Sequence, residues 1–323
     1  MITNSILSKA AVLILALASI GSAIRVQAET IFAINDSNQL FSFDSATPGT
    51  ITTPTTVTGV TAGFLLRAID FRPATGQLYA VGTSTSTPTM GQVFVLDTVN
   101  NTASAFGGVI TLTGNTSTRI SIDWNPMVDR LRIVTSSDQN FRFNPNDMLL
   151  TADTSLMYAA GDPGGNPPGN PTINQITAVA YTNNFAGATS TTLYGWDSFY
   201  DRLVTIGSIT GMPESPNGGM LFTVNASSGP PPATISFGLG MDISISGIAY
   251  LNYDDFNNDG GEDPEHLGII DLATGEVTDI GQIGSGPLDV IDFAVVPEPG
   301  SLALASLGLI GVAALLRRKT RAA

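Results

Sequence analysis

Apolar and polar residues alternate in short runs along most of this chain, and the runs end in an Asp or Asn. They read Leu40-Phe-Ser-Phe-Asp44, Val93-Phe-Val-Leu-Asp97, Phe141-Arg-Phe-Asn144, Leu221-Phe-Thr-Val-Asn225 and Leu267-Gly-Ile-Ile-Asp271. Turn formers follow each time: Pro48-Gly49, Asn100-Asn101, Pro145-Asn146, Ser228-Gly229 and Thr274-Gly275. Period-two alternation closed by an Asx residue predicts a hairpin, because the Asx side chain bonds the backbone two residues on. The Asx positions are spaced by 53, 47, 81 and 46 residues.

A second repeat sits between these runs. Phe71-Arg-Pro-Ala-Thr-Gly-Gln-Leu78, Trp124-Asn-Pro-Met-Val-Asp-Arg-Leu131 and Trp196-Asp-Ser-Phe-Tyr-Asp-Arg-Leu203 share an aromatic, a turn and a Leu seven residues later. Apolar segments precede them or recur elsewhere: Ala68–Asp70, Ser121–Asp123, Ala178–Ala180, Gly247–Ala249 and Val290–Asp292. About four short strands per roughly 50 residues predict an all-β chain of propeller blades, with a β-sandwich as the alternative. Five blades fit the spacings, and the 81-residue interval leaves room for a sixth. Val290–Val295 has no blade of its own and is expected to pair with Ile31–Asn35, closing the ring and removing both edges.

The two ends break the alternation. Lys9 precedes an apolar stretch, Ala10–Ile20, and Val26-Gln27-Ala28 offers the small residue that a signal peptidase needs, so residues 1–28 are expected to be a signal peptide. At the other end, Pro297-Glu298-Pro299 precedes an apolar run from Ser301 to Leu316, followed by Arg317, Arg318, Lys319 and Arg321. As a helix that run is about 24 Å long, slightly short of the roughly 30 Å hydrocarbon core. It would span with the help of Gly300 and a snorkelling Arg317, its cations on the cytoplasmic side. This three-part tail resembles the PEP-CTERM sorting signal. The resemblance implies export, transient anchoring in the inner membrane, and cleavage by an exosortase-like membrane protease, with the protein then at the cell surface or beyond. It also implies extracellular polysaccharide as a partner, since such sorting systems accompany it.

Composition narrows the function of residues 29–296. Seven arginines there stand against 26 acids, and both lysines lie outside, so 19 negative charges go unmatched. A body this acidic repels nucleic acid and anionic membranes. The absence of cysteine excludes disulfides, thiol nucleophiles and thiolate metal sites. A single histidine, His266, and no G-x-S-x-G motif argue against zinc hydrolysis and against a serine triad.

Two clusters carry candidate chemistry. Asp255, Asn257 and Asp259, followed by Gly260, match the first half of a calcium loop, and Asp263 and Glu265 are the nearest residues to complete it. Six carboxylates crowd residues 254–265, which makes calcium the candidate cofactor. Position twelve is His266 rather than Glu, so the site would be irregular. The second cluster is Asp70, Asp123 and Asp292, at equivalent positions of three inner strands and therefore expected to converge near the axis. A carboxylate pair there would suit glycoside hydrolysis, whereas the structural alternative has each Asp bonding the turn of its own blade. Trp124 and Trp196, with Tyr194 and Tyr200, are core residues first and sugar-stacking platforms second. The Gly- and Pro-rich segment 161–171 lacks a phosphate-binding lysine and reads as a surface connection.

Ile69-Asp-Phe-Arg-Pro-Ala-Thr-Gly-Gln-Leu-Tyr-Ala80, Tyr181-Thr-Asn-Asn-Phe-Ala-Gly-Ala-Thr189 and Thr192-Leu-Tyr-Gly-Trp-Asp197 resemble a secreted domain of unknown function, of the 4394 type. That likeness covers most of residues 30–250 and implies a propeller-like fold with no activity attached. The expectation is therefore an exported surface or matrix protein acting as a non-enzymatic binding or structural module. The alternative is a glycan-cleaving propeller that uses the inner-strand aspartates.

Overall fold

The computed structural model describes residues 28–115, 119–163, 175–225, 235–255, 264–286 and 288–297. Alternation along the chain becomes five blades. Blade 1 holds β1 (Thr30–Asn35), β2 (Gln39–Asp44) and β3 (Thr55–Thr56), and blade 2 holds β4 (Phe64–Arg72), β5 (Gln77–Ser84), β6 (Met90–Asp97) and β7 (Thr102–Thr111). Blade 3 holds β8 (Ile120–Asn125), β9 (Arg130–Thr135), β10 (Asn140–Asn144) and β11 (Leu149–Ala152). Blade 4 holds β12 (Met157–Tyr158), β13 (Ile176–Tyr181), β14 (Leu193–Asp197), β15 (Arg202–Ile206) and β16 (Met220–Thr223). Blade 5 holds β17 (Ile235–Ile243), β18 (Ala249–Asp255), β19 (Glu265–Ile270) and β20 (Val277–Gln282). The last strand, β21 (Val290–Val295), joins blade 1.

The ring closes as the sequence predicts. Strand β21 pairs antiparallel with β1, Ala33 opposite Phe293 and Ile34 opposite Asp292, so the two ends of the propeller share one sheet. The inner strands β21, β4, β8, β13 and β17 then pack side by side in a closed circle. The 81-residue interval holds one blade, not two. Blade 4 gains a fifth strand, because β12 runs parallel to β16 with Met157 opposite Met220. One boundary differs from the expectation: Gly247–Ala249 is not the inner strand of blade 5. Gly247 sits in a turn at φ +87°, Ala249 begins the second strand, and β17 lies innermost.

Local chemistry explains the hairpins. The fourth residue after the strand end turns left-handed and donates its N–H to the strand-end carbonyl, as in Gly76 to Arg72 (2.8 Å), Asp129 to Asn125 (3.0 Å), Met148 to Asn144 (2.9 Å) and Gly275 to Asp271 (2.7 Å). Where the strand ends in Asx, its side chain caps the turn: Asp97 Oδ1 accepts from Val99 N–H (2.9 Å) and Asp271 Oδ1 from Ala273 N–H (2.8 Å).

Apolar side chains fill the spaces between blades. One buried cluster occupies each of the five blade interfaces, such as Tyr79, Trp124, Phe141 and Phe143 between blades 2 and 3. Polar staples cross the interfaces further out. Arg72 of blade 2 lies 4.9 Å from the Trp124 ring and bonds Asp129 of blade 3. Arg132, 2% exposed, bonds Asn140 (2.8 Å), Asp153 (2.7 Å) and Asn217 of blade 4 (2.8 Å). Among the described residues no helix is long and apolar enough to cross a membrane; the apolar run 301–316 lies outside them.

Candidate functional site

Four inner strands carry the same triplet, an apolar residue, an Asp and a second apolar residue: Ile69-Asp70-Phe71, Ile122-Asp123-Trp124, Met241-Asp242-Ile243 and Ile291-Asp292-Phe293. Each Asp is at most 2% exposed. Each accepts a backbone N–H from the inner strand of the next blade around the ring. Asp292 takes Ile69 (2.8 Å), Asp70 takes Trp124 (2.6 Å), Asp123 takes Tyr181, and Asp242 takes Val295 (2.6 Å). The repeated aspartates thus lace neighbouring blades, where the structural alternative expected each to bond the turn of its own blade. Strand β13 has no such Asp; Asn184, just beyond it and 4% exposed, lies with its Nδ2 3.5 Å from Asp242 Oδ1.

Carboxylate oxygens of Asp70, Asp123 and Asp242 all lie within 4.8 Å of one another. Blade 5 adjoins neither blade 2 nor blade 3, so carboxylates from all three can meet only near the ring axis. Asp70 Oδ1 and Asp123 Oδ1 are buried and meet no hydrogen-bond donor. Burial holds Asp70 well above the usual carboxylate range, and the charges of Asp242 and Asp292 add to it against the N–H bonds. Asp123 shifts the same way, through burial and then the charges of Asp70 and Asp242. Burial pushes Asp242 up to about 7, opposed by the N–H groups of Val295 and Ile243. Asp292 also rises through burial.

A funnel opens at one end of this axis. A cavity of about 290 Å³ is lined by residues at or beside all five inner strands, among them Arg67, Arg119, Thr177, Leu239 and Val290. Acids from the surrounding loops and from the second and third strands of blade 5 also line it: Asp36, Asp254, Glu265 and Asp289. Arg67 donates Nε to Thr83 (3.1 Å), and burial lowers both guanidinium pKa values, with Asp36 and Asp254 opposing. The aspartates lie deeper: Asp70 is three residues beyond Arg67, about 10 Å along the strand.

Sequence reasoning placed Asp70, Asp123 and Asp292 near the axis, and the structure brings them there. It missed Asp242, because the fifth inner strand was assigned six residues too late, although Met241-Asp242-Ile243 repeats the triplet. It also passed over Arg67 and Arg119, whose signal is an Arg three or four residues before the Asp in a body with few cations. Trp124 and Trp196 are fully buried in the core, which removes them as sugar platforms. Of the calcium-loop candidates, Asn257, Asp259 and Asp263 lie outside the described residues, as does all of 164–174. Asp255 ends β18. Glu265 begins β19, is 4% exposed, and accepts N–H bonds from Leu288 (3.3 Å) and Val290 (3.2 Å). The sorting tail starts two residues after β21, at Pro297; Glu298 and Pro299 fall outside the described part.

Residues 19–294 match the model of a family described as Domain of unknown function (DUF4394). The chain belongs to this family. Residues 295–319 match the PEP-CTERM protein-sorting motif, which marks this DUF4394 member as an exported protein processed by an exosortase at its C-terminal end. No curated protein matches it. Among solved structures it is similar to a structural genomics protein of unknown function from Bacteroides thetaiotaomicron VPI-5482 (17% identity, TM-score 0.47, 84% of this chain). The chain spans 65% of that protein's length. A putative 6-phosphogluconolactonase from Bacteroides uniformis ATCC 8492 is similar at 12% identity and TM-score 0.44, over 80% of this chain and 84% of that one.

Proposed function

We propose that this exported propeller is a non-enzymatic binding module of the cell surface or extracellular matrix, and that its axial funnel engages exopolysaccharide. The observation that carries the reading is the funnel itself. It gathers residues from all five blades, and it holds two of the seven arginines of an otherwise acidic body. Its volume is that of a small ligand site, and planar guanidiniums suit acidic or hydroxyl-rich sugars. Catalysis is disfavoured by the burial of Asp70, Asp123 and Asp292: at 1–2% exposure, none is presented to a polymer. Residues 301–316 are proposed as a transient membrane anchor, and residues 1–28 as a removed signal peptide. The latter gains support from Glu29, whose carboxylate is already bound by Tyr250 (2.8 Å) and Ser246 (2.9 Å) where the body begins. The loop with Asp255, Asn257, Asp259 and Asp263 is proposed to take calcium on the strength of its spacing.

Affinity electrophoresis through the host's own polysaccharide tests the funnel. Arg67→Met and Arg119→Met should each weaken retention by about tenfold or more, since a hydrogen bond to a charged group is worth roughly 1.5–3 kcal/mol. Retention equal to wild type in both variants would remove the funnel as the binding site.

A further inference from the structure

We infer that Asp70, Asp123 and Asp242, with the side-chain amide oxygen of Asn184, form a cation site on the propeller axis whose occupant is a hard divalent ion of calcium's size. The site is separate from the acidic loop of residues 255–263 and goes beyond the binding function proposed above.

Three observations carry it. The first is spacing: carboxylate oxygens from three blades lie within 4.8 Å of one another, the span that two oxygens 2.3–2.6 Å from one calcium ion can reach. The second is unmet valence. Asp70 Oδ1 and Asp123 Oδ1 are buried without a hydrogen-bond donor, although both residues are at least 98% buried. A carboxylate so placed needs a cation or a proton. The third is Asn184, which is not an acid. Its Oδ1 is also buried without a donor, while its Nδ2 lies 3.5 Å from Asp242 Oδ1. Turning that amide over exchanges the two atoms and brings a neutral oxygen ligand beside the carboxylates.

Donor chemistry selects the ion. Every ligand is oxygen, which suits calcium and works against zinc or copper, both of which favour nitrogen and sulfur. The carboxylates are buried and fixed by their N–H bonds to the next blade. Magnesium, which gives up its water shell reluctantly, therefore fits less well than calcium. One ion here would join blades 2, 3 and 5 directly and blade 4 through Asn184.

Equilibrium dialysis of the full chain against calcium, read by elemental analysis, tests the site alongside thermal unfolding in calcium and in EDTA. Asp123→Asn keeps the acceptor for the Tyr181 N–H but removes a charge, so it should lose one equivalent of calcium relative to wild type. At calcium about 100 times Kd, the wild-type folded-to-unfolded ratio should rise about 100-fold over EDTA, a gain this variant should lack. Asp259→Ala, in the acidic loop, should retain the axial equivalent and its stabilisation. Equal calcium content in wild type and Asp123→Asn overturns the proposal. If Asp123→Asn does not fold, wild-type crystals soaked in manganese decide. An anomalous peak between the three carboxylates supports the site, and its absence overturns it.

Discussion

Asp292 shows how much one side chain does in this ring. It lies outside the axial trio, and its work is to accept the Ile69 N–H at 2.8 Å across the interface between blades 1 and 2. Removing the acceptor leaves a buried donor unsatisfied, at a cost of about 1–3 kcal/mol. Chemical denaturation of Asp292→Ala should register that loss. Asp292→Asn, whose amide oxygen still accepts, should stay within about 1 kcal/mol of wild type; equal stability of both variants with wild type would contradict the lacing. Gly240 makes the same point by contact. A Cβ there would run into Asp292 Oδ1 and Asn252 Oδ1, so Gly240→Ala should cost about 1–3 kcal/mol by overpacking in the same assay.

Elements follow from the turn chemistry, and here the sequence was most legible. Asx residues at strand ends are visible in one dimension because their partner is the backbone two residues away, so the hairpins and their number could be read directly. The segments Ala68–Asp70, Ser121–Asp123 and Val290–Asp292 marked three inner strands for the same reason: each is a local pattern. The target of each Asp was not legible, since the Trp124 N–H lies 54 residues from Asp70 and the Ile69 N–H lies 223 from Asp292. Likewise the funnel arginines are ordinary residues until the ring brings them together. The parallel addition of β12 to β16 was also hidden, because two-residue strands carry no period. Turn geometry makes its own prediction. Met148 holds φ +60° where the related turns place Gly76 and Gly275. Replacing Met148 with Gly should therefore raise stability by up to about 1 kcal/mol in a thermal melt; a loss would mean that the Met148 side chain contributes packing beyond its turn.

The whole molecule is a closed acidic ring with buried carboxylates at its centre, and its stability should depend on pH accordingly. Asp242 is faced by Asp70, Asp123, Asp292 and Glu29, with Val295 N–H, Ile243 N–H and Asn184 opposing. Its folded pKa of about 7 exceeds the unfolded value near 4, so its contribution is fully present below about pH 4 and is lost as pH rises through 7. Asp138 and Asp201, both pushed to about 6, act in the same direction, so Asp242→Asn isolates the axial share. In EDTA the melting temperature should fall from pH 5 to pH 8, and less steeply in that variant; an identical slope would exclude the axial cluster as a source. The exosortase acts beyond β21, so loss of the tail should leave the ring intact, since the closing strand ends at Val295. Binding without cleavage is the central claim for the exported ring, and one tube tests it. The purified protein is held with its host's polysaccharide, then retention and new reducing ends are scored together. Retention without new ends is the predicted result. New reducing ends that grow with time, or no retention at all, would contradict it.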